Sequence, residues 1–222
     1  MIAVIDYDAG NIKSVEKALL HLGQETVVTR DAEKILSADG VILPGVGAFG
    51  DAMAKLTAFG LVEVIRDCVA KEIPFLGICL GLQLLFESSE ESPGVEGLHI
   101  LEGKIRRIPS ENGLKVPHIG WNDLHFPRRG RLFEGLGILG NGSPDGSQGN
   151  PYVYFVHSYY LQAADESIVT ATTEYGVKIH ASVEKGNVFA CQFHPEKSSG
   201  AGMQILRNFV VLSSRHSAAA MS

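Results

Sequence analysis

The chain has 222 residues, of which 45% are hydrophobic and 20% charged, with a formal net charge of −6. This length suits one domain at about 100–200 residues per domain, and the composition excludes a disordered chain, which needs low hydrophobicity and high net charge. A general nucleic-acid binder needs a basic face; here Arg106-Arg107 and Arg128-Arg129 are isolated pairs in an acidic chain, so no nucleic-acid partner is expected.

The chain begins with the apolar run Ile2–Ile5 and then meets Asp6 and Asp8, unlike a signal peptide, which opens on a basic segment. Its most apolar stretch, Pro74 to Phe86, is shorter than the ~20 residues a bilayer needs and is broken by Gly77 and Gly81. A soluble, cytoplasmic protein without membrane contact is expected. Cys68, Cys79 and Cys191 are an odd set without CxxC spacing, which argues against a disulfide framework or zinc knuckle. The eight histidines form no HExxH or Cys/His ligand cluster, so neither metal nor cofactor is expected.

In chain order, Ile2–Asp6 reads as a buried strand. Asn11 can cap a helix with Ile12, Val15, Leu19 and Leu22 on its apolar face, stopped at Gly23. Val27-Val28 and Gly40–Leu43 mark two more strands. A helical region follows, with Leu61, Val64, Ile65 and Cys68 at helical spacing. Phe75–Ile78 is a fourth strand and Leu80–Phe86 a helix. This alternation predicts an α/β fold, flavodoxin-like, with a mostly parallel sheet and helices on both faces. Later, Lys104–Ile108, Tyr152–Leu161, Ile168–Thr173, Lys178–Val183 and Asn187–Phe193 read as strands. Turns at Glu174-Tyr175-Gly176 and Glu184-Lys185-Gly186 make several of them antiparallel additions. Residues 139–151 read as a surface loop, and 200–214 as a closing amphipathic helix. The domain is expected over residues 1–212, with a frayed tail at 213–222.

The strongest chemical signal is Phe75-Leu76-Gly77-Ile78-Cys79-Leu80-Gly81: an apolar strand, G-x-C-x-G, then a helix. This is the nucleophile-elbow pattern with cysteine in place of serine. Such a turn lifts the sulfur to the carboxyl end of the sheet, at a helix N-terminus that favours thiolate. The alternative is a buried structural cysteine, which suits Cys68 and Cys191 better. A thiol nucleophile needs a base and the base an orienter. In extended backbone His194 and Glu196 point the same way, with Pro195 between them, so the carboxylate can hold one imidazole nitrogen while the other faces the thiol. Backbone amides of Gly45-Val46-Gly47 and Leu80 can serve an oxyanion. The G-x-G-x-x-G match at Gly45–Gly50 follows the third strand rather than the first, so a dinucleotide site is not expected.

Taken together, the Pro44–Gly47 loop, Gly77–Gln83 and His194-Pro195-Glu196 resemble the triad (class I) glutamine amidotransferases. Residues 116–122 (VPHIGWN), 154–160 (YFVHSYY), 192–198 (QFHPEKS) and Ile5–Asn11 look like the glutaminase subunits of imidazole glycerol phosphate synthase, over residues 2 to about 212. The resemblance implies hydrolysis of glutamine by Cys79, His194 and Glu196, with Gln83, His157, Ser158 and Tyr159 binding glutamine. It also implies delivery of the ammonia to a separate (β/α)8-barrel cyclase subunit, in a heterodimer of histidine biosynthesis. Lys197 after Glu196, with the 116–122 and 154–160 motifs, argues against the corresponding subunit of anthranilate synthase. Trp121 and Asn122 are expected to be structural or near the subunit interface. Two states of the Gly45–Gly47 loop are expected, one turning a carbonyl and one an amide to the site.

Overall fold

Short apolar runs form the centre of the molecule. In the computed structural model, which describes residues 1–110, 113–136 and 149–220, β1 (Ile2–Ile5), β3 (Gly40–Leu43) and β4 (Phe75–Ile78) are buried at every position. Burial without alternation is what a strand covered on both faces requires. Around them come α1 (Ile12–His21), β2 (Thr26–Thr29), α2 (Ala32–Leu36), α3 (Phe49–Ala58), α4 (Leu61–Ala70) and α5 (Leu80–Leu84). The second half supplies β5 (Ser88–Ser89), β6 (Gly103–Arg107), β7 (His118–Asp123), β8 (Tyr152–His157), β9 (Tyr159–Ala163), β10 (Val169–Glu174), β11 (Lys178–Lys185), β12 (Val188–Cys191) and α6 (Ser199–Ala220).

Among the described residues the central sheet has seven strands in the order β10-β11-β12-β4-β3-β1-β2. From β12 to β2 neighbours run parallel, while β10-β11-β12 is an antiparallel edge joined at the two expected turns. Two apolar layers cover its faces. Ala3, Ile5, Val41, Leu43 and Phe75 pack with α3 and α4 on one side; Ile2, Val4, Ile42, Leu76 and Ile78 pack with α1 and α6 on the other. The expected fold class is therefore present. No helix among the described residues is long and apolar enough to cross a membrane.

The structure differs from the sequence reading in four places. The run 152–161 is two strands: β8 pairs with β7, β9 pairs with β6, and the chain changes sheets at Ser158, whose carbonyl accepts from the Ile108 amide at 2.9 Å. Residues 118–123 form a strand the sequence conceals, because both Ile119 and Trp121 face solvent. Helix α6 runs on to Ala220, past the expected start of a tail at 213; Ser213 is buried and donates to the Phe209 carbonyl at 2.9 Å, and alanines favour the helix beyond it. Asn11 begins α1 but its side chain does not cap it. Of the expected loop over 139–151, residues 139–148 lie outside the described residues.

Candidate active site

Strand β4 delivers Cys79 into a sharp turn with φ 55° and ψ −108°, and α5 starts at the next residue. A non-glycine residue held there costs of order 1–3 kcal/mol, and such strain clusters at functional sites. Hydrogen bonding and close packing hold it. The Cys79 amide donates to the Cys191 carbonyl at 2.7 Å. A Cβ on Gly81 would lie 1.9 Å from the Leu43 carbonyl oxygen, and one on Gly77 2.7 Å from the Gly81 oxygen. The two glycines of G-x-C-x-G let α5 sit directly on the β3 backbone.

Beyond β12 the chain brings His194 to the same place. Its amide donates to the Tyr154 carbonyl at 3.0 Å, and Ser198 Oγ donates to its carbonyl at 2.6 Å. The expected extended link from His194 to Glu196 is not what forms. Pro195–Lys197 is a 3-10 turn, and the curl, not strand alternation, returns the Glu196 carboxylate to the imidazole. His194 Nδ1 and Glu196 Oε1 are 2.7 Å apart, with both side chains essentially fully buried. Nε2 is buried without a formed hydrogen bond, and the Cys79 sulfur is the group that acts on this side of the ring. Burial would push the imidazole down, but the Cys79 sulfur and then the Glu196 carboxylate outweigh it and raise His194 to about 9. The other thiols differ. Cys68 is pushed up to about 12, by burial first and Asp67 second, and burial likewise holds Cys191 well above its ordinary value. Both stay protonated and inert at neutral pH.

Cys79 opens onto a cavity of about 290 Å³ whose wall includes Val46, Gly47, Leu80, Gln83, His157, Ser158 and Tyr159. The structure thus gathers expected residues from three separate segments around one cavity. Gly45 lies just behind, against Tyr7 and Leu80. The break between β8 and β9 explains why 157–159 form a wall. Gln83 Nε2 donates to the Tyr159 carbonyl at 3.0 Å and to Gln192 Oε1 at 3.1 Å, and Gln192 Nε2 donates to Cys79 Sγ at 3.8 Å. Both ring nitrogens of His157 are engaged, Nδ1 with the Tyr159 carbonyl at 2.8 Å and Nε2 with His118 Nδ1 at 3.1 Å. Burial pushes His157 down to about 3 and His118 to about 4, so this pair is neutral at physiological pH. His157 contributes wall and backbone to the cavity rather than a free imidazole.

The Leu80 amide donates to the Gly45 carbonyl at 3.3 Å. One of the amides expected to hold an oxyanion is therefore occupied by a carbonyl of the loop expected to supply the others. At the start of α3, the Phe49 amide donates to Glu91 Oε2 at 2.8 Å and the Gly50 amide to Ser92 Oγ at 3.0 Å. Two amides of the first turn of α3, where a phosphate would sit, are thus already taken.

Three residues near the site escaped sequence reasoning. Glu91 is the one carboxylate on the cavity wall among the described residues. Gln192 touches the thiol from inside the recognised 192–198 motif, which was the available signal. Asn11 reaches the Glu196 carboxylate from the far end of the chain; it closes the Ile5–Asn11 segment of the resemblance, which was the available signal, and its residue type alone reads as a helix cap.

The family described as "Glutamine amidotransferase class-I" matches residues 3–212. "Imidazole glycerol phosphate synthase subunit HisH" of Moorella thermoacetica is 52% identical over 208 residues, 94% of this chain and 93% of that one. The protein of the same name from Bacillus cereus (strain G9842) is 53% identical over 209 residues, again 94% and 93%. Among solved structures, one described as a glutamine amidotransferase superposes with a TM-score of 0.71 at 22% identity, over 96% of this chain and all of that one, a likeness of fold. With this match over nearly its whole length, the chain belongs to the class I glutamine amidotransferase family.

Proposed function

We propose that the chain is the glutaminase subunit of an imidazole glycerol phosphate synthase, and that Cys79, His194 and Glu196 carry its chemistry. The observation that supports this most is that Cys79 lines the cavity and acts on the ring of His194, which is paired with a buried Glu196, in a chain about half identical to subunits bearing that name. Residues 1–212 act as one domain in this reading, in the cytoplasm. Glutamine occupies the cavity with its side-chain amide over Cys79. Gln83, Ser158, Tyr159 and the backbone at His157 contact it, and the Glu91 carboxylate attracts its ammonium group.

His194 takes the proton from Cys79, and Sγ bonds to the amide carbon. The electron pair that moves to oxygen is held by amides of Leu80 and the Gly45–Gly47 loop. The carbon–nitrogen bond then breaks, and His194 returns its proton so that ammonia departs. Water hydrolyses the thioester to glutamate and restores the thiol. Glu196 orients His194 and stabilises its charged form. The Leu80 amide donates to the Gly45 carbonyl, which supports reading this arrangement as the resting state of the loop. A partner activates the site by binding the other state better.

That partner is the barrel cyclase, which receives the ammonia. Ile119, Trp121 and Tyr152 on the β7–β8 ribbon are among the exposed large apolar side chains, and Val156 of the same ribbon lines the cavity. Apolar exposure continuous with the site suits a docking surface near the exit of ammonia.

Glutamate release by the purified complex tests the assignment. His194→Ala should abolish it, whereas Glu196→Gln should lose less, by roughly tenfold to a hundredfold, because orientation is secondary to proton transfer. Equal losses in two folded variants would give Glu196 a direct chemical role, and a folded complex without glutamate release would overturn the function.

A further inference from the structure

Asn11 stands at the position of a helix cap without performing that task. It precedes α1 with φ 73°, in the left-handed region, and its side chain makes no hydrogen bond to the first turn of the helix. Instead Nδ2 donates to Glu196 Oε1 at 2.5 Å, across 185 residues of sequence, and lies 3.4 Å from His194 Nδ1. Two N–H groups cannot bond each other, so the Asn11 amide and the imidazole N–H both converge on one carboxylate oxygen. The other oxygen, Oε2, is buried with no hydrogen-bond partner.

We infer that Asn11 is a positioning residue for the glutaminase: its amide fixes the Glu196 carboxylate, and through it the tautomer and direction of the His194 ring. A buried carboxylate with two near-equivalent oxygens can rotate about its last bond. A strong donor on Oε1 selects one rotamer, which accepts from Nδ1–H and directs Nε2 toward the thiol. The residue type follows from the same geometry. The backbone needs tolerance of positive φ, which glycine, asparagine and aspartate have. The carboxylate needs an N–H donor, which excludes glycine and aspartate. Asparagine meets both demands.

This inference rests on the proposed glutaminase, and the variants separate the two. Asn11→Gly keeps the backbone conformation and removes the amide. Asn11→Asp keeps both the shape and the helix-capping ability, but sets a carboxylate against Glu196. In the complex with the cyclase, both should lower kcat for glutamate release, by about 10–100-fold for the loss of a hydrogen bond to a charged group, with KM for glutamine within about twofold of the parent. In a Glu196→Ala background, Asn11→Gly should cost nothing further, since the group it orients is gone. Full activity of Asn11→Asp would show that the Glu196 carboxylate needs no donor from residue 11 and overturn the inference. So would a loss on the Glu196→Ala background as large as on the parent. An active parent with an unaffected Asn11→Gly overturns this inference alone, whereas an inactive parent overturns the glutaminase reading itself.

Discussion

Replacing Cys79 by serine should lower glutamine-dependent turnover by on the order of 10³ or more, while the complex keeps its reaction with free ammonium. The thiol is the better nucleophile, and the imidazole that serves as its base is raised to about 9 by the sulfur and carboxylate around it. A serine hydroxyl is far too weak an acid for that base. The other two thiols cannot substitute, because burial keeps Cys68 and Cys191 protonated. Serine fits the turn at Cys79 with little change in volume, so the variant should fold and bind the cyclase. Parallel assays with glutamine and with ammonium read the result. If ammonium-dependent turnover fell along with the glutamine reaction in an intact complex, the division of labour between the subunits would be wrong.

The second large effect is on stability. In Gly81→Ala the new methyl would lie 1.9 Å from the Leu43 carbonyl oxygen and 2.9 Å from the carbonyl carbon. Those atoms belong to the backbone of a buried strand and cannot swing aside as a side chain would. Either α5 lifts from β3, carrying Leu80 and Gln83 out of place, or the fold is lost. The cost should reach about 3 kcal/mol or more, at the upper end of overpacking, which lowers Tm by roughly 6–12 °C in a chain of this size. Gly200→Ala is the control: it lies in α6 with open space around it, and alanine there should leave Tm unchanged or slightly raised. Thermal unfolding followed by circular dichroism measures both. An unchanged Tm for Gly81→Ala would mean that α5 does not rest on β3.

Local patterns made much of this legible in advance. Strands β3 and β4 are four-residue apolar runs bounded by polar, proline or cysteine positions, and their burial on both faces follows from the run itself. The Cys79 elbow is legible because its cause is local: two glycines at fixed offsets from one nucleophile. The Asn11–Glu196 contact spans 185 residues, and no window of sequence contains both. Ser158 sits in a run of strand formers, so the change of sheet there depends on β6 and β7 competing for neighbouring segments. The 3-10 turn after His194 was concealed by a correct outcome: Glu196 meets the imidazole as expected, but by a different path. Glu91 lies outside every recognised motif and gains meaning only because the segment after β5 folds over the start of α3.

The most direct test is glutamate release measured on one preparation in three states: the chain alone, with the cyclase, and with the cyclase and its nucleotide substrate. The engaged Leu80 amide predicts a slow reaction from the chain alone and a stepwise rise, since freeing one oxyanion donor typically changes the rate by about 10²–10³. Full activity from the isolated chain would contradict a resting oxyanion loop, and no release in any of the three states would contradict the glutaminase.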